Sequence, residues 1–282
     1  MLQQTRVAAV LDHYRRFLAL FPNVEALAAA DQGHVLAAWS GLGYYRRARA
    51  LHAAARQIVD QHAGHFPRTV AELRKLPGIG AYTAAAVASI AFGRASPVID
   101  GNVERVIARL FGSPGKPDDV WRIAAHLLSR SRRGDFNQAM MELGATVCTP
   151  AQPACVTCPV FRLCRTRGPG KRQKSRARRS CHVHFRLARS GGFVFLVQRS
   201  EDESLMPEMW ELPKMVGTHH EGADGDPLLK LRHSITTTDY LVTVTVGSAP
   251  KCTHGAWVQV SRLSTLALTG LARKILRHSK LI

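Results

Sequence analysis

Four cysteines stand close together as Cys148-x6-Cys155-x2-Cys158-x5-Cys164, within 17 residues. Four thiolates so spaced can wrap one metal centre, and the spacing alone fits structural zinc or a [4Fe–4S] cluster. The other two cysteines, Cys181 and Cys252, stand apart and read as inert. A second stretch, Leu76-Pro77-Gly78-Ile79-Gly80-Ala81-Tyr82-Thr83, puts two glycines ahead of a helix start. Glycine lets a ligand approach the backbone closely, and the N–H groups and dipole of a helix N-terminus can seat a phosphate. The same residues also suit a plain tight turn between helices. The third stretch is Val98-Ile99-Asp100-Gly101-Asn102-Val103-Glu104-Arg105-Val106. Its aspartate could act as a catalytic carboxylate. It could equally be turn chemistry, with Asp100 or Asn102 capping the helix that follows.

These stretches need elements to position them. Residues 1 to about 147 read as helical: Val7, Val10, Leu11, Tyr14, Phe17, Leu18 and Phe21 recur at three- and four-residue steps. Leu51, Ala55, Ile58 and Val59 do the same, and Thr83–Phe92 is an Ala-rich segment able to pack closely. Phe21-Pro22-Asn23, Gly41-Leu42-Gly43, Phe66-Pro67, Pro77-Gly78-Ile79-Gly80 and Pro114-Gly115 break the helices apart. Beyond the cysteines, Arg165 to Ser180 holds eight Lys or Arg and no acid, a tether that could also touch a polyanion. The period then changes. Phe193–Val197 and Leu241–Val246 are strand-like runs, and Leu266–His278 reads as a closing helix. The expected divisions are a helical domain at 1–147, a four-cysteine loop at 148–164, a basic linker at 165–182 and an α+β domain at 183–282.

Composition limits the partners. Lys and Arg number 39 against 20 Asp and Glu, a net charge of +19, which calls for a polyanion, nucleic acid before an anionic membrane. No apolar run is long enough for a transmembrane helix. Asp12, His13, Arg15 and Arg16 interrupt any signal-peptide core, so a reducing cytoplasm is expected, at the nucleoid if the source is bacterial. A monomer is the default expectation.

Taken together, the glycine hairpin, an aspartate about twenty residues beyond it and the four-cysteine spacing resemble the endonuclease III superfamily of helix-hairpin-helix DNA glycosylases. Met1-Leu2-Gln3-Gln4-Thr5, Gly41-Leu42-Gly43-Tyr44-Tyr45, Val98–Asn102 and Phe136-Asn137-Gln138-Ala139-Met140-Met141-Glu142-Leu143-Gly144 resemble, more narrowly, its adenine DNA glycosylase (MutY-type) family. The resemblance runs from Met1 through Cys164 and continues more weakly beyond. It implies a mainly α helix-hairpin-helix fold with an iron–sulfur cluster loop and a C-terminal α+β Nudix-like domain. It implies a [4Fe–4S] cluster on Cys148, Cys155, Cys158 and Cys164, and phosphate contacts at Gly78 and Gly80. It further implies hydrolysis of the N-glycosidic bond of adenine opposite 8-oxoguanine or guanine in duplex DNA. Asp100 would stabilise the cationic sugar, with Asn102 and Tyr82 orienting sugar and water. Gln138 would face the adenine edge. Thr5 and Leu42 belong to the substrate-binding set, and Gln4 and Tyr44 match residues that wedge into the duplex. Endonuclease III-like lyases carry a nucleophilic lysine where this chain has Tyr82; a phenol forms no Schiff base, so water attack remains.

Two departures stand out. In the family a glutamate acting as general acid lies two residues before the Met that matches Met1. The chain as written is therefore expected to be a fragment or to have a misassigned start, the alternative being a catalytically impaired lesion-binding protein. Loss of such an acid costs on the order of 10²–10⁴ in rate. In the C-terminal domain, Gly192–Arg199 and Met209-Trp210-Glu211-Leu212-Pro213 fit the Nudix-like pattern, but no carboxylate box for Mg²⁺ follows. Where many members carry Phe-Ser-His, this chain reads Ile235-Thr236-Thr237, which makes 8-oxoguanine preference less secure than adenine excision.

Overall fold

A computed structural model describes the chain except residues 2–4, 6, 113–115, 169–177, 216–226, 236 and 252–253. Gln4, Thr236, Cys252, the Pro114-Gly115 breaker and the middle of the basic linker thus lie outside the described residues. Helices come first: α1 (Val7–Leu20), α2 (Val24–Ala29), α3 (Gln32–Trp39), α4 (Arg46–His62), α5 (Val70–Leu73), α6 (Ala81–Ile90), α7 (Gly101–Phe111), α8 (Pro117–Leu127) and α9 (Arg133–Glu142). A π-turn at Leu143–Val147 and 3-10 turns at Cys155–Thr157 and Phe161–Leu163 lead through the cysteines. The strands are β1 (Arg179–Leu187), β2 (Arg189–Ser190), β3 (Phe193–Gln198), β4 (Trp210–Glu211), β5 (Leu229–Ile235), β6 (Thr238–Val246) and β7 (Gly255–Gln259), and α10 (Gly270–His278) closes the chain. Among the described residues no helix is long and apolar enough to cross a membrane.

Two predicted breakers contain helix caps, Asn23 for α2 and Gly80 for α6, while the caps of α3 and α5 lie outside the stated breakers. Asn23 accepts from the Ala26 amide at 2.8 Å and Asp31 from His34 at 3.2 Å. Thr69 and Glu72 close a reciprocal capping box on α5. The apolar repeat of α1 is wider than the face the helix buries. Val10, Phe17 and Phe21 enter the core, while Val7, Leu11, Tyr14 and Leu18 are exposed.

The chain forms two compact units, Asp60–Ser175 and the combination of Met1–Val59 with Arg176–Ile282. In the first, α9 packs on α6 and α7. The small residues of α6 permit a close approach: a Cβ on Gly134 would lie 3.0 Å from the Ser89 carbonyl oxygen. In the second, β1 runs parallel to β6 from Arg179↔Thr238 to Leu187↔Val246, and β5 adds antiparallel to β6. β3 carries a second sheet, antiparallel to β2, β4 and β7. Val183, Phe185, Leu187, Val242 and Val244 share one core with Leu271, Ile275 and Leu276 of α10, the helix-on-sheet arrangement of an α+β fold.

Two boundaries differ from expectation. β1 begins at Arg179, so the last four residues expected in the linker are strand. The closing helix starts at Gly270 rather than Leu266. Leu266–Leu268 is not helical: the Leu268 amide turns back to the Leu266 carbonyl at 2.9 Å, Leu268 bridges Trp210, and Thr269 then caps α10 through the Ala272 amide at 3.1 Å.

Candidate active site

The N-terminus of α7 organises the centre of the Asp60–Ser175 unit. Asp100 is its cap. Asp100 Oδ1 accepts from the amides of Asn102 at 2.9 Å and Val103 at 2.8 Å, and Oδ2 accepts from Asn102 Nδ2 at 3.0 Å. The capping reading of Asp100 therefore holds, and it leaves a half-buried carboxylate used purely as an acceptor by neutral donors. Asn102 is held in turn: Arg105 Nη2 donates to Asn102 Oδ1 at 2.8 Å and to the Gly144 carbonyl at 2.6 Å, while Arg105 Nε reaches the Cys148 carbonyl at 2.8 Å. A hydrogen-bonded chain thus runs from the carboxylate to the start of the cysteine segment.

Tyr82, on the first turn of α6, lies within electrostatic reach of Asp100. Burial first, then the Asp100 charge, pushes its phenol above the ordinary tyrosine value. The group stays neutral at physiological pH, and its hydroxyl donates to Met141 Sδ of α9 at 3.4 Å. Gln138, on the same helix as Met141, is exposed, with its amide 3.4 Å from the Gly134 carbonyl. The hairpin glycines Gly78 and Gly80 are both exposed, and Gly78 has φ +72°. Gly80 caps α6 without a side chain, and a Cβ there would meet nothing within 4 Å.

Three supports of this centre were missed in the sequence. Asn137 is 2% exposed and joins three segments: its Oδ1 accepts from the Val98 amide at 3.2 Å, and its Nδ2 donates to Ser89 Oγ and the Ser96 carbonyl, each at 2.9 Å. Gly144 lets the π-turn press on α7, since a Cβ there would come within 2.6 Å of Asn102 Cβ. Arg105 is the third. Asn137 and Gly144 lie in the stretch quoted for the family resemblance, which was the available signal.

The four cysteines line one cavity together with Arg109. Each is half-buried and free of disulfides. Arg109 is 8% exposed, with Nη1 3.2 Å from Cys148 Sγ and 2.8 Å from the Thr149 carbonyl. The Gly168 amide points to Cys155 Sγ at 3.4 Å. Among the described residues no three Cys, His, Asp or Glu side chains stand close enough together to hold a single ion.

The remaining predicted residues belong to the other unit. Thr5 Oγ1 accepts from Arg47 Nη2 at 3.2 Å. Leu42 is 5% exposed, so its side chain faces the core, whereas Tyr44 is 50% exposed at φ +49°. Cys181, read as isolated, is exposed.

Residues 1–130 match the HhH-GPD superfamily base excision DNA repair protein family. Relatives named adenine DNA glycosylase include one from Homo sapiens, 49% identical over 59% of this chain and 32% of its own length. The protein of that name from Arabidopsis thaliana is 39% identical over 77% of this chain and 41% of its own length. The chain spans about a third to two-fifths of the length of these curated relatives. Among solved structures, a thermostable thymine-DNA glycosylase is 29% identical, with TM-score 0.55, over 58% of this chain and 79% of its own. A trapped endonuclease III–DNA covalent intermediate is 27% identical, with TM-score 0.52, over the same 58% and 79%.

Proposed function

We propose that this protein is an adenine-specific, monofunctional DNA glycosylase of base excision repair, hydrolysing the N-glycosidic bond of adenine paired with 8-oxoguanine or guanine in duplex DNA. The carrying observation is the Asp100 carboxylate, held by neutral donors, with the neutral phenol of Tyr82 within its electrostatic reach.

The chemistry follows from that arrangement. Reaching the base requires extruding it from the stack at a cost of a few kcal/mol, least for a mispaired base. Loss of the base leaves an oxocarbenium-like sugar, and a fixed carboxylate beside it lowers the barrier electrostatically. Asp100 fills that role. Asn102 and the Tyr82 hydroxyl orient sugar and water, and Gln138 offers an amide whose donor and acceptor match an adenine edge. Gly78 and Gly80 seat a backbone phosphate at the start of α6. The net charge of +19 supports a duplex partner.

Cys148, Cys155, Cys158 and Cys164 would hold a [4Fe–4S] cluster. The fit rests on four cysteine sulfurs around one cavity, with N–H donors from Arg109 and Gly168 aimed at two of them. A bound cluster would supply iron–thiolate bonds that cross-link this loop. The α+β region is read as a Nudix-like lesion-recognition domain.

Single-turnover adenine release from A·8-oxoguanine, A·G and A·T duplexes tests the proposal. Release is expected from the first two and not the third, without strand cleavage. Equal release from all three, or cleavage without heat or base, overturns it.

A further inference from the structure

The turn between α3 and α4, Ser40 to Tyr45, bends through three positive φ values: Gly41 at +108°, Gly43 at +70° and Tyr44 at +49°. The first two are glycines, to which that region is open; Tyr44 is not, and holding it there requires support from outside the turn. The support comes from two sides. From within, Trp39 Nε1 donates to the Gly43 carbonyl at 3.1 Å, and the Arg47 guanidinium lies 5.4 Å from the Tyr44 ring centroid.

From the C-terminal part of the same unit comes a buried polar joint. Ser40 Oγ and Tyr45 Oη both donate to the Leu268 carbonyl, at 3.0 and 3.3 Å. Tyr45 Oη in turn accepts from the Gly41 amide at 3.4 Å, and Arg273 Nε of α10 donates to Ser40 Oγ at 3.0 Å. Ser40 and Tyr45 are each 4% exposed and Leu268 is fully buried. Each of these hydroxyls both donates and accepts, and a satisfied buried network of this kind fixes one arrangement rather than several.

We propose that Tyr45, Ser40 and Arg273 are positioning residues: through the Leu268 carbonyl, the C-terminal region sets the turn that presents Tyr44, and so governs how well the protein opens a mispaired duplex. The inference rests on the reading of Tyr44 as the residue that wedges into DNA. It gives α10 a part in mispair discrimination through the turn it supports.

The test uses the full chain and two duplexes, one with an A·8-oxoguanine pair and one fully paired, each with 2-aminopurine beside the central pair. Tyr45→Phe and Arg273→Met are each expected to lower the affinity ratio between the duplexes about tenfold, the scale of one lost buried hydrogen bond. They should also blunt the 2-aminopurine fluorescence rise on binding, with affinity for the paired duplex unchanged. Arg273→Lys, which keeps a donor, should restore most of the ratio. Where Arg273→Met melts too low to assay, Ser40→Ala is expected to give the same loss. Tyr44→Ala should lose the ratio too, and Tyr44→Ala combined with Tyr45→Phe should be no worse than Tyr44→Ala alone. If Tyr44→Ala loses the ratio while Tyr45→Phe and Arg273→Met keep it, or if the losses add in the double variant, the positioning role is overturned and the wedge reading stands. If Tyr44→Ala keeps the ratio, the wedge reading fails and this inference falls with it.

Discussion

Two carboxylates, one in each compact unit, are surrounded by donors of different kinds. Asp239, on β6, is 4% exposed at its side chain and is met by the guanidiniums of Arg178 and Arg232 and the hydroxyl of Ser234. The Ser234 hydrogen bond first, then the arginines, hold its carboxyl far below the usual range. Asp100 is half-buried and receives two backbone amides and one carboxamide, all uncharged. The nearby cation in its network, Arg105, acts one step away through Asn102. At Asp239 the negative charge is cancelled where it stands, and the carboxylate ties together the β5–β6 hairpin. At Asp100 the donors fix direction while leaving the charge uncompensated, so its field remains available to a cation that forms nearby. The contrast separates a carboxylate used for cohesion from one suited to chemistry, although each accepts three hydrogen bonds.

The sharpest way to break this contrast is to remove each charge in turn. Asp100→Asn should lower single-turnover adenine release by about 10²–10³-fold, the loss typical of a transition-state charge stabiliser, and leave duplex affinity unchanged. Asp239→Asn should leave release unchanged and lower the melting temperature. The sign of the pH dependence follows from its depressed carboxyl. The stabilisation is fully present above the unfolded carboxylate value of about 4 and is lost as pH falls below it. The melting deficit of Asp239→Asn should therefore be constant above about pH 5 and shrink in more acid buffer. A rate loss in Asp239→Asn, or a purely thermal effect in Asp100→Asn, would reverse the assignment.

A smaller effect is expected one step back from the carboxylate. Arg105→Gln removes the guanidinium that holds Asn102, Gly144 and Cys148 together. Misplacing a reacting group by an ångström can cost up to about 10²-fold, and Arg105→Gln should fall below that because Asp100 keeps its two backbone donors. Arg105→Gln combined with Asp100→Asn should be no slower than Asp100→Asn alone. Additive losses would show that Arg105 acts elsewhere.

The legibility of these features in the sequence followed their range. Helices, strands and the Asp100 cap are local, and period, breakers and the Asp-Gly pair revealed them. The start of α10 was obscured because Leu266–Leu268 continues an apolar pattern that the Thr269 cap interrupts. Arg105 meets Cys148 across 43 positions and Asn137 meets Ser89 across 48, so nothing nearby in sequence marks either as a joint. The side chain of Leu42 is in the core and that of Tyr44 is exposed, and an irregular turn has no period from which to tell its faces apart.

The smallest expected effect extends the contrast to the helix N-termini themselves. The start of α7 is occupied by the chain's own carboxylate, whereas the start of α6 has Gly80 and no capping side chain. If α6 keeps its N-terminus for a phosphate, then Gly80→Ala should add a methyl group to the space the phosphate would take. That space is open, with no atom of the chain within 4 Å of the added Cβ, and φ of −82° suits alanine. Folding should therefore be nearly unaffected, with stability changed by only about the few tenths of a kcal/mol to 1 kcal/mol that separate glycine from alanine at a cap. Duplex affinity should fall severalfold, equally for paired and mispaired DNA, because a phosphate contact carries no sequence information. The slope of log affinity against log salt should stay nearly unchanged, since an amide seat releases few counterions compared with Lys or Arg contacts. A loss confined to the mispaired duplex would place Gly80 in base recognition, and no loss at all would make the hairpin a plain turn.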